Sequence, residues 1–220
     1  MRRLRSWAKR GFEQHLLVAL QGEAMLRLLS GLLTIYLAFY IESTQHGFTA
    51  AAQLALIIGA AGAGNFAGTA IGTRLRMTKP EAVISVSVSV AGVVCLLVAL
   101  AFSPALAALG MFVSAVANAL SKIALDSLIQ RDVVETLRSS AFGRSETFLQ
   151  LAWVIGAAIG VVLPSKHGDG PLGFIVGGVI IAATAVYVIV RGRATGGRPD
   201  ARRWPQRPGP QSNVRPQSVD

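Results

Sequence analysis

Two pairs of opposite charges stand inside long apolar runs of the sequence. Glu23 and Arg27 are four residues apart in a run that starts near residue 16, and Lys122 and Asp126 have the same spacing in a later run. Residues four apart lie on one face of a helix, so each pair can form an ion pair. Ionisable groups in a lipid-spanning helix are costly, and they normally face a protein interior or a water-filled cavity.

The depth of each pair in its run suggests a different role. Glu23 and Arg27 lie about 10–17 Å into their run at about 1.5 Å per residue, too deep for interfacial residues. Lys122 is one to two turns from the end of its run, so its side chain can reach water. We therefore expect Lys122 and Asp126 at a gate.

Six residues are predicted to line a polar path: Glu23, Arg27, Asn65, Asn118, Gln150 and Trp153.

The composition indicates which elements hold these side chains. Of the 220 residues, 52% are hydrophobic and only 15% are charged, whereas a soluble domain has about a quarter charged residues. A membrane-spanning helix needs about 20 consecutive apolar residues. The sequence predicts an all-α membrane protein with six transmembrane helices, at roughly 16–41, 48–72, 82–103, 105–128, 146–164 and 171–190.

One segment of the third run has a strand-like pattern. VISVSVSV alternates apolar and small polar residues, which favours a strand, but open sheets cannot span lipid. We therefore predict a helix in which Ser85, Ser87 and Ser89 bond back to the helix or to a neighbour.

The basic residues predict the orientation. The net charge is +10, and 18 of the 21 Lys and Arg residues fall on one side of a six-span topology. Cytoplasmic loops are enriched in Lys and Arg, so both termini are predicted in the cytoplasm, with the chain in the plasma membrane. Because the charge sits at the ends and in links, no nucleic-acid partner is predicted.

Residues 1–14 are predicted to be a basic cytoplasmic segment, 15–190 the membrane domain, and 191–220, rich in Pro, Gly and Arg, a disordered cytoplasmic tail.

The residues that intramembrane enzymes use are not arranged for catalysis. His15 and His46 lie at span edges, His167 lies in a loop, and the Gly-x-Ser-Gly of a rhomboid-like nucleophile does not occur. Cys95 is predicted to be a small core residue. We therefore predict no enzymatic activity, no metal site and no cofactor.

The segment 118–164 resembles the major facilitator superfamily. In that family a short cytoplasmic link between the fourth and fifth helices of a half often carries Gln, Arg and a small–aromatic–Gly turn, before a helix with a glycine-rich patch. The corresponding residues here are Gln130, Arg138, Ala141–Gly143, and Gly156 with Gly160. Residues 15–190 look like the C-terminal six-helix half of such a transporter, of an actinobacterial type.

A second match lies between the second and third spans. The family's loop there reads Gly-x-x-x-Asp followed by basic residues, and Gly72 stands here in place of the acid. The resemblance and the charges together assign nine residues to a cytoplasmic gate: Gly68, Arg74, Arg76, Lys122, Asp126, Gln130, Arg138, Arg144 and Glu146.

The resemblance implies a secondary carrier that moves a small molecule across the lipid bilayer, with Glu23 as the best carboxylate for proton-coupled efflux. A full transporter of this family has twelve spans, with its substrate site between two six-span halves. Three explanations stay open: the chain is a truncated product, it pairs with a separate first half, or it forms a homodimer. The alternative function is a non-transporting remnant or accessory membrane subunit.

Overall fold

The structure, a computed structural model, describes residues 2–75, 78–163 and 169–196, and describes side chains within 16–191 of these ranges. These residues form six helices and no strand. The helices are α1 (Arg2–Thr44), α2 (Gly47–Arg74), α3 (Pro80–Leu100), α4 (Pro104–Asp132), α5 (Glu135–Val162) and α6 (Leu172–Gly196).

Each helix contains a stretch that is long and apolar enough to cross a membrane. The stretches have 20–29 residues and include Leu16–Thr44 of α1 and Leu172–Arg191 of α6. At about 1.5 Å per residue they exceed or match a hydrocarbon core of about 30 Å. The predicted all-α class and six spans are confirmed at this level.

The serine-rich segment of α3 is helical, as predicted. Ser85 donates to the carbonyl oxygen of Glu81 at 3.0 Å, and Ser89 donates to that of Ser85 at 2.8 Å. The hydroxyl groups of Ser85 and Ser89 are therefore satisfied one turn back along the helix, which lowers the cost of these polar groups in an apolar run. Cys95, on the same helix, is fully buried, as expected for a core residue.

The predicted start of the fifth helix is wrong, because the polar residues before it were taken as a stop. α5 begins at Glu135, eleven residues before the predicted start, so the link from α4 is reduced to Val133 and Val134. The predicted turn at Ala141–Gly143 lies inside α5. α1 begins at Arg2 and α6 continues to Gly196, but their membrane-length stretches, Leu16–Thr44 and Leu172–Arg191, match the first and sixth predicted spans. Residues 191–196 of the predicted disordered tail are helical. The rest of that tail lies outside the described residues. Charged residues end a membrane span, but they do not end a helix, because helix propensity is high for Arg and Glu.

The helices pair in a pattern that repeats after three helices. The most extensive contacts join α1 to α5 and α2 to α4, α3 lies against α4 and α6, and α6 lies against α1. If each helix is replaced by the one three positions later, α1–α5 and α2–α4 exchange, α3–α4 and α1–α6 exchange, and α3–α6 maps onto itself. α1 and α4 are central, whereas α2 is the most exposed helix, with only 17% of its membrane-length stretch buried.

Glycines allow the two closest helix pairs to form. On α5, Gly156 and Gly160 lie against the backbone carbonyls of Leu28 and Leu32 on α1. On α2, Gly64 and Gly68 lie in the same way against the carbonyls of Phe112 and Val116 on α4. Four-residue spacing of small residues permits such close backbone approach. Gly59 and Gly62 of α2, by contrast, have no neighbours within 4 Å of an added Cβ.

Aromatic side chains fill the end of the bundle opposite to the α4–α5 link. Tyr40 meets Phe102 edge-on at 5.6 Å, Phe102 meets Phe174 at 6.1 Å, and Tyr36 stacks on Tyr40 at 6.3 Å. The Tyr36 hydroxyl donates to the carbonyl oxygen of Asp169 before α6. These contacts tie α1 to the segments around α3 and α6 at this end.

The glycine contacts predict a difference between two identical substitutions. A Cβ at position 156 would overlap the Leu28 carbonyl oxygen, so Gly156→Ala should lower the free energy of unfolding by about 1–3 kcal/mol. A Cβ at position 59 has no neighbour within 4 Å, so Gly59→Ala should be neutral or stabilise α2 by up to about 1 kcal/mol. Thermal unfolding in detergent measures both, and equal melting temperatures for the two variants would contradict the packing role.

Candidate functional site

Glu23 is the one buried charged residue among the side chains that the structure describes. Its side chain is 0% exposed, and its Oε1 lies 3.4 Å from Nε of Arg27, one turn later on α1. Neither carboxylate oxygen of Glu23 accepts a hydrogen bond from the described residues, and Arg27 Nε donates none to them. A buried carboxylate is expensive unless it is paired and hydrogen-bonded. Glu23 therefore lies where a further polar group is needed.

Lys122 joins α4 to α5. Its Nζ lies 2.7 Å from Oδ1 of Asp126 on the same helix and 3.3 Å from Oε2 of Glu146 on α5. The three side chains are partly exposed, so the pairs remain within reach of solvent. Glu146 in turn accepts a hydrogen bond of 3.2 Å from the Gln150 amide.

The α1 pair and the α4–α5 group are neighbours. The Ser121 hydroxyl lies beside the Glu23 carboxyl group, and the charges of Arg27 and Lys122 both act on it. We name the five ionisable residues the ion cluster: Glu23, Arg27, Lys122, Asp126 and Glu146. With three carboxyl groups and two cations, its formal charge is negative by one when all five are ionised.

A row of polar atoms without partners runs along α4 towards the ion cluster. Ser114 Oγ, Asn118 Oδ1 and Ser121 Oγ are buried and make no hydrogen bond with the described residues. Their spacing of four and three places them on one side of the helix. Buried polar groups almost always have partners in native proteins. This row and Glu23 are consequently the places where a polar ligand would find unsatisfied groups.

The structure brings together part of the predicted polar path. Glu23 and Arg27 belong to the ion cluster, Asn118 lies in the α4 row, and Gln150 reaches the cluster through Glu146. Asn65 is exposed on α2, and no contact joins it to the cluster. The Trp153 side chain is half-buried, and its backbone carbonyl lies against Gly31 of α1.

The predicted gate residues fall into three groups. Lys122, Asp126 and Glu146 lie in the ion cluster, so the residues predicted as a gate and as a path meet in one site. Gly68 packs on α4, and Arg138 Nε donates to the Val133 carbonyl oxygen at 3.1 Å, which holds the short α4–α5 link. Gln130, Arg74 and Arg144 are exposed. Arg76 lies outside the described residues.

Sequence reasoning missed two contacts between helices, that of Arg131 with Glu81 and that of Ser121 with Glu23. Arg131 Nη2 pairs with Oε1 of Glu81 at 2.8 Å, which ties α4 to α3, while its Nε pairs with Oδ1 of Asp132 at 2.8 Å. Ser121 was not singled out, although it directly precedes Lys122 in the same helix. The only signal for either contact was the proximity of these residues to a predicted span end, which does not identify a partner on another helix.

Metal binding by the usual ligands finds no support. In the ranges where the structure describes side chains, no three His, Cys, Asp or Glu residues come close enough to hold a metal ion.

A cleft of about 550 Å³ opens between α1, α4 and α5 beside the ion cluster. Its lining comprises Leu16, Leu17, Leu20, Gln21, Leu125, Ile129, Ala141, Arg144, Ser145 and Phe148. Most of this surface is apolar, and among the described side chains that line it Arg144 is the only charged one.

Similar proteins occur in mycobacteria. An uncharacterised protein of Mycobacterium leprae is 32% identical over 151 residues, which are 68% of this chain and 26% of that protein. Uncharacterised proteins from two strains of Mycobacterium tuberculosis are also 32% identical over 151 residues, 27% of their length. The chain thus matches these curated relatives over about a quarter of their length. No family model and no solved structure matches the chain.

The Lys122 contacts predict a charge-reversal effect. Lys122→Glu places a third carboxylate beside Asp126 and Glu146, so it should destabilise the protein by about 1–2 kcal/mol, less than for fully buried pairs because these groups are partly exposed. Adding Glu146→Lys returns a cation to the cluster and should recover at least half of the loss. Thermal unfolding in detergent measures this, with the exposed Lys79→Glu as control. If the double variant loses as much free energy of unfolding as the two single variants lose together, the contact between Lys122 and Glu146 is contradicted.

Proposed function

We propose that this chain is one six-helix half of a secondary carrier of the major facilitator type, which moves a small molecule across the plasma membrane. The observation that carries the proposal is the ion cluster. It joins α1, α4 and α5 within the membrane-length part of the bundle. Ionisable residues in such positions are costly, and they typically belong to substrate or ion pathways.

The arrangement of helices supports this proposal. Units of three spans that repeat within a six-span half are typical of major facilitators, and the helix pairs here repeat after three helices. The unit has an odd number of spans, so its second copy has inverted orientation. The two central helices, α1 and α4, are corresponding helices of the two units, and together they carry four of the five residues of the ion cluster.

A second half would complete the carrier. The mycobacterial relatives are almost four times as long as the segment they share with this chain, which leaves room for six more spans. α2 and α5 have extensive apolar exposure, including Phe66 at 78% and Val162 at 84%. These helices could face either lipid or another six-helix unit, supplied by a separate chain or by a second copy.

Glu23 is the residue that we assign to proton coupling. Its carboxyl group can take up and release a proton, and Arg27 balances its charge in the ionised form. Asp126 and Glu146 are tied to Lys122, whereas Glu23 oxygens accept no hydrogen bond among the described residues. A substrate that enters the cluster would therefore compete with a proton for the Glu23 carboxylate.

The alternative function is that of an accessory membrane subunit that transports nothing. The contact between Glu23 and Arg27 favours it, because two charges that neutralise each other can be a purely structural pair. Transport measurements separate these two functions.

Substitution of Glu23 tests the proton-coupled carrier. The protein is reconstituted in vesicles with a trapped pH dye, and a panel of amphiphilic compounds is added in the presence of a pH gradient. We expect compound-dependent proton movement by the wild type and, for Glu23→Gln, a fall to the level of protein-free vesicles, because the amide cannot carry the proton. Glu42→Gln, an exposed carboxylate on the same helix, should retain the activity.

Two results would count against the proposal. Compound movement with the same pH dependence in the wild type and in Glu23→Gln would contradict the proton role. Absence of movement of every compound by the wild type would contradict transport by copies of this chain alone, and would leave an accessory subunit or a carrier completed by a separate chain.

Two engineered cysteines test the orientation. If both termini are cytoplasmic, His46→Cys in the α1–α2 link faces outward and Ser139→Cys near the start of α5 faces inward; both positions are exposed. A membrane-impermeant maleimide should label His46→Cys in intact cells and Ser139→Cys only in inverted vesicles. The buried Cys95 should react in neither. The reverse labelling pattern would contradict the orientation.

A further inference from the structure

The cleft between α1, α4 and α5 lies close to the ion cluster along all three helices. On each helix its lining residues stand next to a cluster residue: Leu20 precedes Glu23 by one turn, Leu125 precedes Asp126, and Ser145 precedes Glu146. Because α1 and α5 enter the bundle at the end where α4 leaves it, the cleft lies between the cluster and the end that carries the α4–α5 link.

The chemistry of the cleft is that of an amphiphile site. Leucine, isoleucine and phenylalanine side chains form most of the wall, and Ser145 is already satisfied because its hydroxyl donates to the Phe142 carbonyl oxygen at 2.9 Å. Arg144 is exposed and forms no ion pair with any residue that the structure describes. The volume of about 550 Å³ lies within the usual range for small-molecule sites, about 300–1,000 Å³.

Basic residues that precede the cleft in the sequence favour an anionic ligand. The helix that supplies Leu16 and Leu20 continues back to Arg2, and Arg2, Arg3, Arg5, Lys9 and Arg10 belong to that extension. Basic residues next to a membrane span attract the anionic lipids of the cytoplasmic leaflet. A soluble anion would match the charge but would leave the apolar walls of the cleft without a partner.

We propose that this cleft binds one anionic phospholipid of the cytoplasmic leaflet, with an acyl chain between the apolar walls of α1, α4 and α5 and the headgroup phosphate at the Arg144 guanidinium. The bound lipid covers the inner side of the ion cluster and holds α5 against α1 and α4 at that end. This site requires the inward orientation of the α4–α5 link, but it does not require that the protein transports anything.

Photo-crosslinking tests the site in full-length protein reconstituted in vesicles. The probes are phosphatidylglycerol and phosphatidylcholine with a diazirine in the acyl chain, and labelled peptides are identified by mass spectrometry. We expect phosphatidylglycerol to label the peptides of Leu16–Gln21, Leu125–Ile129 and Ala141–Phe148 about fivefold more than phosphatidylcholine does, the effect of one cation near a membrane surface.

Matched variants separate the charge from the cavity. Arg144→Gln should remove the preference for phosphatidylglycerol, whereas Lys79→Gln, an exposed cation predicted at the same end but outside the cleft, should keep it. Ala141→Phe fills the cleft and should reduce labelling by both lipids, whereas Ser140→Phe, one residue away and exposed, should not.

Three outcomes would overturn the proposal. They are labelling spread evenly over the exposed faces of α2, α3 and α6, an unchanged lipid preference in Arg144→Gln, and loss of labelling when millimolar inorganic phosphate is added. The last would mean that the site binds a free anion. Arg144→Gln changes an exposed side chain and should fold, so the test does not depend on the stability of Ala141→Phe.

Discussion

The close approach of α5 to α1 is the contact on which the site depends. Gly156 and Gly160 let the α5 backbone rest on the carbonyls of Leu28 and Leu32, and Gly31 of α1 lies in the same way against Trp153. Lipid offers no hydrophobic driving force for helix association, so backbone proximity and van der Waals packing must hold the pair. One consequence is that Glu146, ten residues before Gly156 on α5, comes within reach of Lys122.

The ion cluster is the second consequence of this packing. Glu23 is fully buried, and its nearest cation is 3.4 Å away. Isolated, such a carboxylate would be very costly in a medium of low dielectric constant. The arrangement of α1, α4 and α5 offsets part of this cost by placing Arg27, Ser121 and Lys122 around it. The unsatisfied oxygens of Ser114, Asn118 and Glu23 remain, and they distinguish this interior from a core that is built for stability alone.

The differences between predicted and observed helix ends have one physical cause. Hydropathy measures where a segment can lie in lipid, whereas a helix ends where its backbone meets a stop signal. α3 and α4 begin at Pro80 and Pro104, close to the predicted starts, because proline at the first turn coincides with the edge of an apolar run. The start of α5 was misplaced because residues 135–145 are polar and nevertheless continue as helix.

The sequence by itself determined the number of spans, the helical state of the serine-rich segment, and the two ion pairs within α1 and α4. All of these depend on residues less than about one span apart, and the spacing of a helix is the same in any surroundings. Only the tertiary structure decided that the two pairs form one cluster with Glu146, that Asn65 stands apart from it, and that a cleft opens beside Arg144. Those relations depend on which helices pack together, and the close packing that selects the partners is made by glycines, which have no side chain to identify the opposite surface.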